Sequence, residues 1–172
     1  MVKRRLSAAT IAAQAGGYID QASGGVVPPI QPSTTFVRDR AYVPHASGNI
    51  YARDDSDTVR VAENILAQMD AAKVALLFPN GMAAIAAVFR ALPTGATVLL
   101  QAQIYWGTTK WVREFCSRRG MVLVEADLSK PKNMDKLCAS HEPDMVFIET
   151  PSNPWLRSTD IAHAVKKVHD VG

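Results

Sequence analysis

A turn that follows an apolar run has the composition of an anion-binding site. Residues 74–78, VALLF, are apolar throughout, and Pro79-Asn80-Gly81 separates them from an alanine-rich stretch with helical spacing. This order predicts a buried strand, a tight turn and a helix. The first N–H groups of a helix have no partner within it, so they suit an anion such as phosphate, and Gly81 has no Cβ to obstruct its approach. The alternative is an ordinary strand-to-helix connection in which Asn80 is the N-cap.

Aromatic and polar residues also follow apolar runs further along the chain. Tyr105 and Trp106 follow the second run, Asn153 follows the fourth, and Tyr51 and Arg53 lie in the segment before the first. Ligands of open α/β sheets bind outside the carboxyl ends of the strands, where these residue types would suit a flat, phosphorylated, aromatic ligand. Each also has a structural alternative. The aromatic pair could cover a core edge, Asn153 could serve the turn, and Arg53 could be a solvated surface charge.

The elements that would position these residues repeat in a regular order from residue 57 onward. Apolar runs alternate with amphipathic stretches, and Gly and Pro residues separate them. Continuous apolar strands that alternate with helices favour an α/β fold with a mostly parallel sheet and helices on both faces. The predicted strands are 74–78, 97–101, 121–125 and 145–149. The predicted helices are 57–71, 81–92, 106–119, 132–140 and 159–170.

Residues 1–55 differ in composition from the rest of the chain. They are rich in Gly, Pro, Ser and Thr, and a short helix is predicted only over Ala8–Ala15. A long segment without regular structure is uncommon inside a compact core. We therefore expect residues 1–55 to form an extended arm that packs on another subunit, and residues 56–172 to form the domain.

Composition argues against several classes of function. The 172 residues suffice for one domain with a core, and no apolar run is long enough to span a membrane. The net charge is +3, but the basic residues are scattered and not interleaved with aromatic ones, which disfavours nucleic-acid binding. Cys116 and Cys138 have neither metal-ligand nor disulfide spacing, and the four histidines are scattered. We expect no metal site and a reducing compartment, with the cytoplasm as the default.

Five blocks of sequence stand in an order that a known family shares. They are GGVVPPIQPSTTF, YAR, FPNGMAAIAA, IYWGTTKW and FIETPSNP. This order resembles the N-terminal part of the Cys/Met-metabolism (trans-sulfuration) family of pyridoxal-phosphate enzymes, which includes cystathionine γ-synthase, cystathionine lyases and methionine γ-lyase. The resemblance extends from about Thr10 onward. It implies a truncated aspartate-aminotransferase-like (fold type I) large domain, preceded by an inter-subunit arm.

The resemblance implies pyridoxal 5′-phosphate as the cofactor, and it assigns four residues to the cofactor's phosphate. Gly81 and Met82 match a pair whose backbone N–H groups hold that phosphate. Tyr51 and Arg53 match a Tyr-x-Arg that reaches the same phosphate across a dimer interface, and an arginine fork can donate two parallel hydrogen bonds to it. The implied partners are a small amino-acid substrate and further copies of the chain, as dimers that pair into tetramers.

Two further residues are implied to act at the cofactor ring. Tyr105 matches a tyrosine that stacks on the pyridine ring and is assigned proton transfer, and Asn153 matches an asparagine near the ring hydroxyl and the substrate. Glu149 belongs to the same motif but receives no chemical role, although it could orient the loop or balance a nearby charge. Trp106 and the acidic residues 54–57 depart from the family's common pattern, which leaves the substrate and the reaction subtype open.

The family's chemistry also needs a lysine that binds the cofactor and an acid beside the pyridine nitrogen. No lysine of the chain lies in the family's S-x-T-K-like context, and Lys110, within a predicted helix, is the nearest to the rim. The leading interpretation is the N-terminal portion of a sulfur amino-acid enzyme that performs β/γ-elimination or γ-replacement. The alternatives are a non-catalytic truncated paralogue that binds a phosphate ligand or a full-length subunit, and an unrelated nucleotide-binding α/β domain. The absence of a Gly-x-Gly-x-x-Gly motif disfavours the last.

Overall fold

The computed structural model describes residues 6–171, and the chain divides into two compact units between Leu77 and Phe78. The helices, in chain order, are α1 Ala8–Ala13, α2 Asp57–Met69, α3 Gly81–Ala91, α4 Trp106–Arg118, α5 Pro131–His141 and α6 Ile161–Val171. The strands are β1 Thr97–Gln101, β2 Val122–Ala126 and β3 Met145–Phe147. Each of these elements begins and ends within two residues of its predicted bounds.

The first unit contains α1, a short 3₁₀ helix at Ala15–Gly17, α2 and a long irregular segment before α2. The hydroxyl of Ser7 caps α1 by accepting the N–H of Thr10 at 3.2 Å, and α1 packs against α2. Between residues 18 and 55 the backbone forms only isolated antiparallel bridges, which pair Thr35 with Tyr51 and Arg38 with Pro44. The Gly- and Pro-rich composition of this segment is consistent with its lack of longer elements.

The second unit is a parallel sheet covered on both faces. β1 is the central strand, in the order β2-β1-β3, and all its pairings are parallel. Because successive side chains of a strand point to opposite faces, Val98 and Leu100 lie in one core cluster and Leu99 lies in the other. Buried residues of α3 and α4 complete the first cluster, and buried residues of α5 and α6 complete the second. The predicted parallel sheet with helices on both faces is confirmed.

An aromatic cluster fixes α3 against α4. Phe89 is fully buried and meets Trp111 edge-on, with 5.9 Å between the ring centroids. Its ring also lies 5.6 Å from that of Phe147 on β3. Burial of a large aromatic side chain stabilises a fold by roughly 2–3 kcal/mol. This packing determines where the first turn of α3 lies relative to the sheet.

The strand predicted over residues 74–78 does not form. No residue of this segment pairs with a strand among the described residues, and the side chains of Val74 and Leu76 are 70% and 67% exposed. A strand requires hydrogen bonds from a neighbour, and the three strands of the sheet pair only with one another. An apolar composition alone therefore does not produce a strand where no partner strand is available.

Candidate functional site

The first turn of α3 has the features of an anion-binding helix end. The Asn80 side-chain oxygen accepts the N–H of Ala83 at 2.8 Å, so Asn80 is the N-cap, as one of the two sequence interpretations proposed. The N–H groups of Gly81 and Met82 have no partner among residues 6–171. The first turn contains no acidic residue, and a Cβ built on Gly81 would meet no atom within 4 Å. Two N–H groups and the positive end of the helix dipole are thus available to an anion.

The first turn of α4 is arranged differently. Tyr105 occupies the N-cap position without a side-chain capping bond, and its own N–H donates to the carboxylate of Glu149 at 3.3 Å. The Tyr105 ring lies against Gly107, since a Cβ on that glycine would be 2.5 Å from ring atom Cε1. A glycine is therefore required at position 107 for the ring to keep this orientation.

The loop after β3 brings Asn153 to the same edge of the sheet. The N–H of Asn153 donates to Glu149 Oε1 at 2.6 Å. Ser152 is fully buried, its N–H donates to the carbonyl of Arg157 at 2.9 Å, and its hydroxyl accepts the Arg157 N–H at 3.2 Å. The loop is thus held by its own backbone and by Glu149.

These three element ends enclose one cavity of about 550 Å³. This volume lies within the range of small-molecule and cofactor sites. Four of the six residues predicted to act at the cofactor line it, namely Gly81, Met82, Tyr105 and Asn153. The other lining residues are Asn80, Ile85, Thr108, Glu149 and Pro151.

Tyr51 and Arg53 belong to the first unit. The Arg53 guanidinium lies over the Tyr51 ring, 4.7 Å from its centroid. Their assignment to the cofactor phosphate stays a prediction.

The acidic residues that follow Arg53 have a structural partner. Arg60 forms ion pairs with Asp55 and Asp57 and donates to the Asn49 side chain at 2.6 Å. Burial opposes the charged form of Arg60, but the hydrogen bonds that Arg60 donates to Asp57 and Asp55 outweigh it and raise the Arg60 pKa. The departure from the family's common sequence at residues 54–57 thus creates a local ion-pair network.

Trp106 and Lys110 lie outside the cavity. The Trp106 side chain is 69% exposed, so the indole is not on a buried side of α4. Both residues line a neighbouring groove, where Arg113 forms a two-pronged ion pair with Glu125 at 2.6 and 2.7 Å. Trp106 therefore does not line the cavity that holds Tyr105 and Asn153.

Sequence reasoning gave no role to Gly107 and Thr108, and for Glu149 it offered only that the side chain could orient the loop or balance a nearby charge. Thr108 is buried, and its hydroxyl lies 3.7 Å from the sulfur of Met82, so it joins the first turns of α3 and α4. Its position three residues after Tyr105 on a helix placed it on the same face, and this was the available signal. For Glu149 the contact to Tyr105 spans 44 residues of sequence, and no local pattern indicates such a contact.

Among residues 6–171, no group of three or more His, Cys, Asp or Glu side chains is placed to hold a metal ion. Over the same residues, no helix has the length and apolar character needed to cross a bilayer.

Comparison with known proteins identifies the family. The sequence model of the family described as "Cys/Met metabolism PLP-dependent enzyme" matches residues 9–172. The chain belongs to this family. The resemblance read from the order of the five sequence blocks is confirmed.

Individual relatives agree with the family match. Cystathionine gamma-lyase of Sus scrofa is 36% identical over 165 residues, which cover 95% of this chain and 40% of the relative. The human enzyme of the same name is 36% identical over 152 residues. The crystal structure of cystathionine gamma synthase from Xanthomonas oryzae pv. oryzae in complex with cystathionine superposes with a TM-score of 0.88 at 31% identity, covering 98% of this chain and 43% of that one. The chain thus spans about two fifths of the length of these relatives.

The cavity fits the cofactor named by the family. Pyridoxal 5′-phosphate has an anionic end and a flat aromatic ring. The open space at Gly81 and the two N–H groups at the start of α3 are suited to the former. Tyr105, at the start of α4, offers an aromatic face to the ring, and Asn153, in the loop after β3, offers an amide.

Proposed function

We propose that this chain supplies the cofactor-phosphate and ring contacts of a pyridoxal-phosphate-dependent trans-sulfuration enzyme. The proposed reaction is β/γ-elimination or γ-replacement on a sulfur-containing amino acid, consistent with relatives named cystathionine gamma-lyase and cystathionine gamma synthase. The single observation that supports it best is the convergence of Gly81, Met82, Tyr105 and Asn153 on one cavity.

The phosphate is assigned to α3 and not to α4. Both helices begin at the carboxyl edge of the sheet, and both have a positive N-terminal end. At α4 the Glu149 carboxylate already accepts the Tyr105 N–H, so a second anion there would meet a like charge. At α3 the neutral Asn80 side chain caps the helix and leaves the N–H groups of Gly81 and Met82 to the ligand. The charge distribution therefore favours phosphate at Gly81 and Met82.

The ring end of the cofactor is assigned to Tyr105 and Asn153. Once bound, pyridoxal 5′-phosphate would supply an electron sink for the pair of electrons released at the substrate Cα. In the proposed mechanism Tyr105 would hold the pyridine ring with its aromatic face, and its hydroxyl would hold or transfer a proton of the substrate. The Asn153 amide would orient the cofactor ring. Thr108 and Ile85 also line the cavity.

The proposed assembly is a homo-oligomer in which dimers pair into tetramers. In it, Tyr51 and Arg53 of one copy would approach the phosphate held by Gly81 and Met82 of another. The irregular segment of the first unit exposes several large apolar side chains, including Val26, Val27 and Ile30, as an intersubunit surface would. The buried free thiols of Cys116 and Cys138 are consistent with the proposed cytoplasmic location.

A second candidate is a non-catalytic module that binds a phosphate ligand. One observation is compatible with it: among the described residues, those that line the cavity include no lysine to bind the cofactor covalently. Lys110 lines the neighbouring groove instead. Under this candidate the phosphate contacts at α3 would be retained and the chemistry would be absent.

An absorbance titration with pyridoxal 5′-phosphate, followed by borohydride reduction, tests the proposed binding and shows whether this chain holds its own attachment lysine. Saturable binding that Gly81→Ala weakens is expected under both. Reduction that fixes the cofactor to one lysine of this chain would show that the chain holds its own attachment residue. Saturable binding with no covalent trapping would indicate that the phosphate contacts are present without it. No saturable binding at millimolar cofactor would refute the proposed function.

A further inference from the structure

Glu149 is anchored at the end of β3 by a buried side chain of β1. Its backbone N–H donates to the Oε1 atom of Gln101 at 3.3 Å, and the Thr159 hydroxyl donates to the same oxygen at 3.0 Å. Gln101 is the last residue of β1 and is only 1% exposed. The backbone of Glu149 is therefore fixed by the centre of the sheet and not by the surface loop that follows it.

The carboxylate of Glu149 joins two segments that the sheet does not join. Its Oε1 atom accepts the Asn153 N–H at 2.6 Å, and its two oxygens lie 3.3 and 3.4 Å from the Tyr105 nitrogen. Hydrogen bonds to an ionised acceptor are stronger than neutral ones. One side chain thus fixes the backbone of both residues assigned to the ring end of the cavity.

The charge of Glu149 is accounted for within the protein. Its carboxylate faces the N-terminal end of α4, whose partial positive charge stabilises an anion. With two N–H donors and a helix end as partners, the carboxylate has less need of a ligand than an unpaired acid would. Glu149 lines the cavity, but its hydrogen bonds are directed to the protein backbone.

We propose that Glu149 is a positioning residue that sets the separation of Tyr105 and Asn153, and so the slot for an aromatic ring between them, without touching the ligand. The identity of the ring as that of pyridoxal 5′-phosphate rests on the proposed function. The hydrogen-bonded arrangement itself does not.

Two measurements on the whole chain test this role. In Glu149→Ala, amide hydrogen exchange at Tyr105 and Asn153 should accelerate at least about tenfold, because both N–H groups lose a charged acceptor. The affinity for pyridoxal 5′-phosphate should fall about tenfold, whereas that for inorganic phosphate, which needs only α3, should change less than about twofold. Glu149→Gln retains one acceptor oxygen and should give intermediate values for both. Glu114→Gln, on the exposed side of α4, is the matched control and should leave both unchanged.

The outcomes separate this inference from the proposed function. Unchanged exchange at both amides in Glu149→Ala would overturn the positioning role, whatever happens to affinity. Lower cofactor affinity with unchanged exchange would mean that Glu149 contacts the ligand directly, and it would overturn the proposal as well. If Glu149→Ala does not fold, Glu149→Gln decides by the same criteria. If the unaltered chain binds no cofactor, the proposed function fails, while the exchange rates still decide whether Glu149 holds the two residues.

Discussion

At the scale of single residues, the site depends on Gly81, which has no side chain. Gly81 begins α3 without a left-handed backbone angle, and its Cβ position is open. Alanine is therefore compatible with the fold at this position, and it raises helix propensity. The added methyl group would nevertheless occupy space that lines the cavity.

We predict that Gly81→Ala separates stability from binding. The free energy of unfolding should stay the same or rise by up to about 1 kcal/mol, because Ala is the better helix former. The affinity for inorganic phosphate and for pyridoxal 5′-phosphate should both fall, by about tenfold. Urea unfolding and fluorescence titration measure the two effects.

Gly25→Ala is the control for Gly81→Ala, since Gly25 also lacks a left-handed backbone angle and lies in the first unit. It should leave phosphate affinity unchanged. Equal phosphate affinity in Gly81→Ala and the unaltered chain would exclude Gly81 from the phosphate contacts.

Residue types at the site were readable from the sequence, but one key contact was not. Tyr105 and Asn153 follow β1 and β3, and the carboxyl ends of parallel strands meet at one edge, so their convergence was predictable. Gly81 and Met82 line the same cavity although the strand predicted before them does not form. Glu149 also follows β3. That Glu149 could orient the loop was expected, but its contact to Tyr105 was not, because an acid in a loop has many possible partners and Tyr105 is distant in sequence.

At the scale of elements, the cap of α3 links helix stability to anion binding. Asn80 is neutral and accepts the Ala83 N–H. We predict that Asn80→Ala lowers the free energy of unfolding by about 1 kcal/mol, because it removes the cap. Asn80→Asp should preserve stability, since a carboxylate also caps, but it should weaken phosphate binding through repulsion.

The matched pair makes the test of Asn80 specific. Chemical unfolding should show that Asn80→Asp is more stable than Asn80→Ala. Phosphate titration should show the opposite order, with weaker phosphate binding in Asn80→Asp than in Asn80→Ala. If Asn80→Asp binds phosphate as tightly as the unaltered chain, then phosphate does not bind at the start of α3.

An ion pair ties the loop after β2 to the loop after β3. Asp127 accepts from Arg157 at 2.8 Å and from the Ser129 hydroxyl at 2.5 Å. The Ser129 hydrogen bond lowers the pKa of Asp127, burial opposes this shift, and the charge of Arg157 reinforces it. Because the folded-state pKa lies below the unfolded one, the stabilisation is present above the unfolded value, about 3.9, and is lost as the pH falls through the folded value.

We therefore predict a pH-dependent effect of Asp127→Asn. The variant should lose about 1 kcal/mol of unfolding free energy at pH 7, and the difference from the unaltered chain should narrow as the pH falls below about 4. Urea unfolding at pH 7, 4 and 3 measures it. Asp170→Asn, near the exposed end of α6, is the control, and a deficit for Asp127→Asn that is independent of pH would contradict the role of the charge.

The one failed element shows what local sequence patterns miss. The helices follow from apolar spacing and caps, which are local properties. Residues 74–78 are apolar throughout, more so than β1, yet only β1 has neighbours on both sides. Strand formation depends on partners from elsewhere in the chain, so a single run of residues cannot settle it.

At the scale of the whole molecule, the exposed apolar surface predicts self-association. β3 pairs with β1 along one edge only, and beside it lies an apolar groove of about 280 Å³ lined by residues of β3 and α6. Val165, half exposed on α6, lines that groove. An unpaired edge with apolar neighbours favours association. We predict that the purified 172-residue chain is oligomeric or poorly soluble at micromolar concentration.

Light scattering coupled to size exclusion measures this association. Val165→Lys should shift the chain toward smaller species, because it places a charge in the groove. Ala162→Lys adds the same charge to α6 outside the groove lining and should have a smaller effect. A monodisperse monomer of the unaltered chain would contradict the prediction.

The two cysteines lie on opposite faces of the sheet, Cys116 with α3 and α4, and Cys138 with α5 and α6. Both are buried, and burial raises the pKa of each thiol, so labelling by a thiol reagent requires local opening. Each helix layer therefore contains one thiol that reports its local opening. The labelling rate of Cys116 measures how often the layer of α3 and α4 opens, and the labelling rate of Cys138 measures how often the layer of α5 and α6 opens. If bound phosphate lowers the labelling rate of Cys116 but not that of Cys138, then ligand binding suppresses local opening on one face of the sheet while the opposite face opens at an unchanged rate.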